Sequence, residues 1–326
     1  MNSLRRFRKQ HAAVHAVFVF TISLLSSVRA DILRPNLGSS APATTAPGVD
    51  PVATAQAIAA GRANAGDVLT RAAQASQNVQ AMQDAARALA ISGPNHLAPG
   101  LPDVPNGLGT GGLEVDASKT WTGANAPTQA VNAGQTNVNI QQTQQQALLH
   151  WTTFNVGKET TVNFDQSAGG ANAGQWIAFN YVTDPSGVPS QILGNITAQG
   201  QVYVLNQNGI IFGGSSQVNV HTLVASSLPI NSNLVNQGLL NNPDAQFLFT
   251  ALALPQGGDG TPAFTPPAPP AGGRIGDVTV QAGAKIDIPT SAASVGGRAM
   301  LVGPNVTNNG SISTPDGQTI LAAGLQ

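Results

Sequence analysis

The stretch QVYVLNQNGIIFGGSSQVNV, Gln201 to Val220, holds an apolar run, an Asn-rich corner, a second apolar run, a Gly pair and an apolar alternation, with no acid, base or thiol. Short runs of β-branched and aromatic residues punctuated by Asn and Gly are strands joined by tight corners. The first run is continuous from Val202 to Leu205, the pattern of a strand covered on both faces. Asn208-Gly209 is also a hairpin dipeptide. The stretch alone therefore fits either an antiparallel sandwich or a parallel β-helix.

Working outward, the same unit recurs. ITAQGQV (Ile196, Gly200, Val202), LVNQGLL (Leu234, Gly238, Leu240) and VTNNGSI (Val306, Gly310, Ile312) share an apolar residue, a polar corner, a Gly four positions on and an apolar residue two further. The intervals are unequal, so this is no strict solenoid. A strand, an Asn/Gly corner and another strand is nevertheless the unit of a parallel β-helix, whose circuits stack about 4.8 Å apart. Stacked Asn side chains can bond one another along such corners. TTVNF (160–164) and AKIDI (284–288) alternate as strands, and Asn309-Gly310 is a further corner or hairpin dipeptide. The Pro-rich TPAFTPPAPP (261–270) cannot sit inside a sheet and reads as an extruded loop.

Composition agrees with an all-β reading. Charged residues make up 9% of the 326, against roughly 25% in an ordinary soluble domain. Solubility comes instead from amides and hydroxyls, and Glu occurs only at Glu114 and Glu159. There is no cysteine, so no disulfide framework holds the fold.

The N-terminus reads as a secretory signal over 1–30. Arg5, Arg6, Arg8 and Lys9 precede the apolar Ala16–Leu25, and Val28 and Ala30 sit at the small-residue positions before a cut. Cleavage after Ala30 removes those four and Arg29, leaving nine basic against 15 acidic residues, a formal net charge of −6. Such a balance argues against nucleic acid or an anionic membrane as partner.

After a Pro/Ala/Ser/Thr-rich linker (31–50) comes an Ala/Gln-rich helical segment (51–92). Its better part is expected from Asp67, because Gly61 and Gly66 interrupt the residues before it, and Ser92-Gly93-Pro94 ends it. Leu69, Ala72, Ala75, Val79, Met82, Ala86 and Leu89 form a narrow stripe. So thin a stripe predicts a spacer or a helix lying on the main domain; a partner-binding helix is the alternative. A second linker (93–110) leads into a β domain (111–326), with the Pro-rich loop near 255–273.

Three further stretches belong together: LLHWTTFNVGKETTVNFDQ (148–166), DPSGVPSQILGNITAQGQVYVLNQNGIIFGGSSQVNVHTLVASSL (184–228) and GGRAMLVGPNVTNNGSI (296–312). The order W-x-x-F-N-V-G, then S-Q-I-L-G, then N-x-N-G-I-x-F-G resembles the N-terminal secretion (haemagglutination activity) domain of filamentous haemagglutinin-type proteins of two-partner secretion. The resemblance covers roughly Gly111 to Gln326. Its hallmark N-P-N-G-I stands here as Asn206, Gln207, Asn208, Gly209 and Ile210, with Gln for Pro. Trp151, Phe154, Asn155 and Gly157 carry the earlier motif.

The resemblance implies a right-handed parallel β-helix with capping strands over its end. It implies general secretion to the periplasm and recognition by a partner outer-membrane β-barrel transporter through polypeptide-transport-associated domains. The product would be secreted or held at the cell surface, in the haemagglutinin or adhesin class, with a host or bacterial surface receptor. Gly111 onward should carry the recognition information, and the helical segment, outside the resemblance, should be dispensable. The N-terminus of a contact-dependent toxin would look the same, its activity lying in a long C-terminal extension; the ending LAAGLQ reads as the middle of a repeat.

Catalytic chemistry is not evident. The histidines after the signal, His96, His150 and His221, form no H-x-x-x-H or similar pair, so no metal is expected. No G-x-S-x-G occurs, and GGSSQ (213–217) reads as a turn without the calcium-binding G-G-x-G-x-D repeat. A β-helix polysaccharide lyase would need clustered acids; Asp277 and Asp287 are expected on neighbouring strands, and Arg274 and Arg298 in solvent. Trp121, Trp151 and Trp176 are expected in the core or its cap. The reading is of a non-enzyme without cofactor.

Overall fold

A computed structural model describes residues 51–98, 100–230, 274–290 and 296–324. The signal (1–30), the first linker (31–50), the repeat copy at 234–240 and the Pro-rich loop near 255–273 lie outside them. Two units are distinguished, Met1–Gly61 and Arg62–Gln326. Of the first, residues 51–61 are described and are helical. The second holds all the described strands.

Those strands form three sheets. The first orders β1 (Leu113–Val115), β4 (Gln146–Phe154), β6 (Ile177–Val182), β9 (Gln201–Leu205), β12 (Thr222–Ser226), β15 (Arg298–Gly303) and β18 (Gln318–Ala323). The second holds β7 (Ser190–Ile192), β10 (Ile210–Phe212), β13 (Val278–Val280) and β16 (Val306–Asn308). The third runs β2 (Thr128–Asn132), β3 (Gln135–Gln141), β5 (Thr160–Asp165), β8 (Asn195–Ala198), β11 (Gln217–Asn219), β14 (Lys285–Asp287) and β17 (Ser311–Ser313).

From β7 onward each strand pairs, in parallel, with the strand three places further on. The chain thus visits second, third and first sheet in turn, and each circuit stacks on the last. Among the described strands, antiparallel pairing is confined to β1–β4 and the β2–β3 hairpin, at the end where the circuits begin. Asn208-Gly209 and Asn309-Gly310 each join strands of different sheets, so they are corners and the sandwich reading falls.

The stacking follows from side-chain placement. Val138, Val162, Ile196, Val218, Ile286 and Ile312 occupy one column of the third sheet, and the first five are buried. A β-branched residue at the same point of every circuit packs against its copies above and below. On the outer face, Asn163 Nδ2 donates to Asn139 Oδ1 (2.7 Å) and Thr197 Oγ1 to Asn163 Oδ1 (2.9 Å), a polar ladder that runs along the strands and not along the corners. β9 is covered on both sides: Val202 and Val204 point inward, while Tyr203 and Leu205 join an outer cluster with Ile177, Phe179 and Ile230. Trp151 is fully buried and Trp121 packs edge-on to it at 4.8 Å, whereas Trp176 is only half-buried.

Two expectations need correction. Asp277 precedes β13 and Asp287 lies in β14, so they sit in successive sheets and not on paired strands. The helix α1 spans Pro51–Ser92, the full helical segment, and is not interrupted before Asp67. Each interior Gly costs about 1 kcal/mol, and the surrounding Ala-rich turns carry the helix through Gly61 and Gly66.

The docked face of α1 is also not the apolar stripe. Gln83, Ala86, Arg87 and Ala90 are half-buried, while Leu69, Val79, Met82 and Leu89 stay exposed. Gln83 Nε2 donates to Asn309 O (2.8 Å), and its Oε1 accepts from Gly283 N (2.7 Å). Arg87 Nη1 donates to Ser216 O (2.9 Å) and Gly283 O (3.3 Å). Lys158 Nζ closes the helix end on Ile91 O (3.0 Å) and Gly93 O. Residues one turn apart climb about 5.4 Å along a helix, close to the roughly 4.8 Å between circuits. Successive turns of α1 therefore meet corners of successive circuits. Gly283 makes the approach possible: its φ is +90°, and a Cβ there would stand 2.6 Å from Arg87 N.

Candidate functional site

The motif residues lie where the chain leaves the first sheet for the second. Trp151 and Phe154, on β4, face inward with their rings 5.3 Å apart, and Trp151 Nε1 donates to Asn180 Oδ1 (2.9 Å). Asn155 follows at the corner. Its Nδ2 donates to Gly111 O (3.0 Å), and its Oδ1 accepts from Gln191 N (2.7 Å). Gly157 admits the 105–106 segment, since a Cβ there would meet Asn106 Oδ1 at 2.3 Å.

Two circuits on, Asn206 takes the equivalent corner between β9 and β10. Its Nδ2 donates to Ser190 Oγ (2.9 Å), and its Oδ1 accepts from Asn208 N (2.9 Å), closing an Asx turn. Asn208 Nδ2 donates to Asp184 O (2.7 Å). Gly209 has φ +103°, and a Cβ there would stand 2.7 Å from Asp277 O. Ile210 is fully buried, its N–H donating to Asp277 O (3.0 Å). Gln207 O accepts from Gly276 N (2.8 Å), while its Nε2 is buried without a hydrogen-bond partner.

The third motif joins the other two. Ser190 and Gln191, on β7, belong to the circuit between them and bond to Asn206 and Asn155 respectively. All four are buried. Gln191 also ties the second linker down, accepting from Leu97 N (3.2 Å) and donating to Pro102 O (3.1 Å). The opposite corner has its own amide pair, which the sequence motifs do not single out: Gln166 Nε2 donates to Gln142 Oε1 (3.0 Å), and Gln166 Oε1 accepts from Gly200 N (2.6 Å). The signal is that each Gln directly follows a strand, β3 and β5, whose registers align.

This arrangement orders backbone and excludes water; it presents no reacting group. Among the described residues no three His, Asp or Glu side chains cluster as metal ligands. His150 is half-buried and stacks on Tyr181 at 5.6 Å. Burial, helped by Lys119, holds its pKa below the usual histidine value, and burial alone does the same to His221. Arg274 is exposed and lies 3.9 Å from Asp277, and Arg298 is exposed, as expected.

Residues 115–326 match the family model of the TPS secretion domain. Two heme/hemopexin-binding proteins of Haemophilus influenzae are 35% and 38% identical over 88 and 79 residues, 27% and 24% of this chain. These matches span only 9% and 8% of the relatives' own length. The solved HMW1 secretion domain of Haemophilus influenzae is similar over 63% of this chain and 44% of its own, at 21% identity and a TM-score of 0.42. The family match spans well over half of the sequence and coincides with the stacked circuits; the chain belongs to the TPS secretion domain family.

Proposed function

We propose that residues 111–326 form a right-handed parallel β-helix that a partner outer-membrane transporter accepts for export. The chain reaches the periplasm by general secretion, loses residues 1–30, and meets the transporter's polypeptide-transport-associated domains. The product is a non-enzymatic protein of the haemagglutinin or adhesin class, released or held at the cell surface. The observation that carries this reading is the joining of the three motifs by Asn155, Gln191, Ser190 and Asn206 on one stack of corners.

Burial of Asn206 supports a folding role for the motif: its side chain ties its own circuit to the one before, and closing circuits beyond the membrane draws the chain outward. The test is co-expression with a candidate partner transporter of two-partner secretion. Mature protein is expected in the medium, with Asp31 as its first residue. Replacing Asn206 and Asn208 together with Ala should lower both export and the stability of the purified domain. Export at full level without any transporter would overturn the reading; lost export with unchanged stability would move the motif from folding to direct recognition.

A further inference from the structure

α1 carries a second pattern besides its docked face. Ala65, Val68, Ala72, Ala75, Val79, Met82, Ala86 and Leu89 follow one another at intervals of three and four in strict alternation. That is the seam of a coiled coil, sustained through 25 residues and about 37 Å of helix. The seam winds round the helix and, at its C-terminal end, lies about 80° from Gln83, Arg87 and Ala90. Those residues hold α1 on the corners while the large side chains of the seam face solvent: Val68 is 65% exposed, Val79 52%, Met82 63% and Leu89 73%, and Ala86, where seam and docked face adjoin, is half-buried.

The seam is complementary to itself in one direction. Two antiparallel copies centred on Gln77 set Ala65 against Leu89, Val68 against Ala86, Ala72 against Met82, and Ala75 against Val79. Every large side chain then meets an alanine, so all layers have similar width and the helices can approach closely. A parallel in-register pair would instead set Met82 on Met82 and Ala72 on Ala72, giving alternately crowded and empty layers. The flanks agree: Arg71 falls opposite Ala85, and no like charges meet.

We propose that α1 is a homotypic docking surface through which two copies of this chain associate as an antiparallel two-helix coil with two-fold symmetry. The occupant is a second copy because the alternation of large and small residues matches its own reverse. With four large side chains per helix the contact lies at the small end of specific interfaces, below about 1,200 Å². The dimer is therefore reversible and concentration-dependent. The proposal is independent of the transporter and of the corner motif.

The absence of cysteine from the chain makes the test clean. Sedimentation of the full chain should show a dimer fraction that grows with concentration and disappears in Val79→Glu/Met82→Glu, whose thermal melt stays that of the parent. Ser76 lies beside the axis and faces its own copy, so Ser76→Cys should give a dimer with a short bis-thiol linker. Gln77→Cys, on the outer side of the helix, should give none. Cross-linking through Val79→Cys but not Ser76→Cys would mean a parallel pair and overturn the antiparallel claim. A chain that stays monomeric at every concentration, or whose dimer survives the double Glu substitution, would overturn the proposal; association only with the transporter would do the same.

Discussion

At Gly209 one backbone angle decides what the corner tolerates. Its φ of +103° lies where L side chains are strained, and Asp277 O stands where a Cβ would go. Gly209→Val should therefore lower stability by about 1–3 kcal/mol. Gln207→Pro restores the residue usual at this point of the family motif and removes the unpartnered Nε2; it should stay within about 0.5 kcal/mol of the parent. Urea melts of the two variants measure the difference, and equal midpoints would sink the argument. The Asn-x-Asn-Gly corner was legible because its amides and its glycine have local jobs. The link from Asn155 through Gln191 and Ser190 to Asn206 was not, because it depends on which circuits stack. Only the burial of two polar residues at the start of S-Q-I-L-G betrays it, and burial is not visible in a lone sequence.

At the scale of the element, α1 divides into two parts with different roles. Residues 83–92 are bonded to four circuits, through Lys158, Ser216, Gly283 and Asn309. Side chains of residues 62–80 are exposed throughout. Deleting 52–80 should leave the melting temperature of the β domain unchanged, whereas deleting 52–92 should lower it. Arg87→Ala alone should cost about 1–3 kcal/mol, since it removes charge-assisted bonds to Ser216 O and Gly283 O, of which Ser216 O keeps Lys285 N as a donor. Calorimetry of the three variants tests this, and equal melting in all would show that the docking contributes nothing. The expectation that the segment is dispensable for export stays a proposal; for stability, the bonds of its last turns predict a contribution. Sequence pattern misled here because docking uses Gln, Arg and the smallness of Ala, none of which registers as a hydrophobic face.

Across the whole molecule, histidine burial sets an acid limit. His150 and His221 have folded pKa values held below their unfolded value near 6.5. The stability they contribute is complete above that unfolded value and is lost as pH falls through the folded values. The melting temperature should be lower at pH 5 than at pH 7.5, and His150→Phe/His221→Asn should flatten that slope. A slope unchanged in the double variant would assign the effect to carboxylates. At the other end burial pushes Tyr203 up to about 12, so its contribution is intact below about 10 and drains away as pH rises towards its folded value. The three-sheet architecture was foreshadowed by the recurring strand–corner–strand unit. Which corner pairs with which could not be counted, since the circuits differ in length.

The hydrogen bond from Gln83 to Asn309 joins residues 226 apart in sequence. It imposes a timetable on folding. Each circuit can close on its predecessor as soon as it exists, and α1 is latched in steps, first by Lys158, then at Ser216, then at Gly283, with the Gln83 bond to Asn309 closing after these. A chain halted short of Gly283 would leave Gln83 with neither of its partners and its turn of helix within reach of a protease.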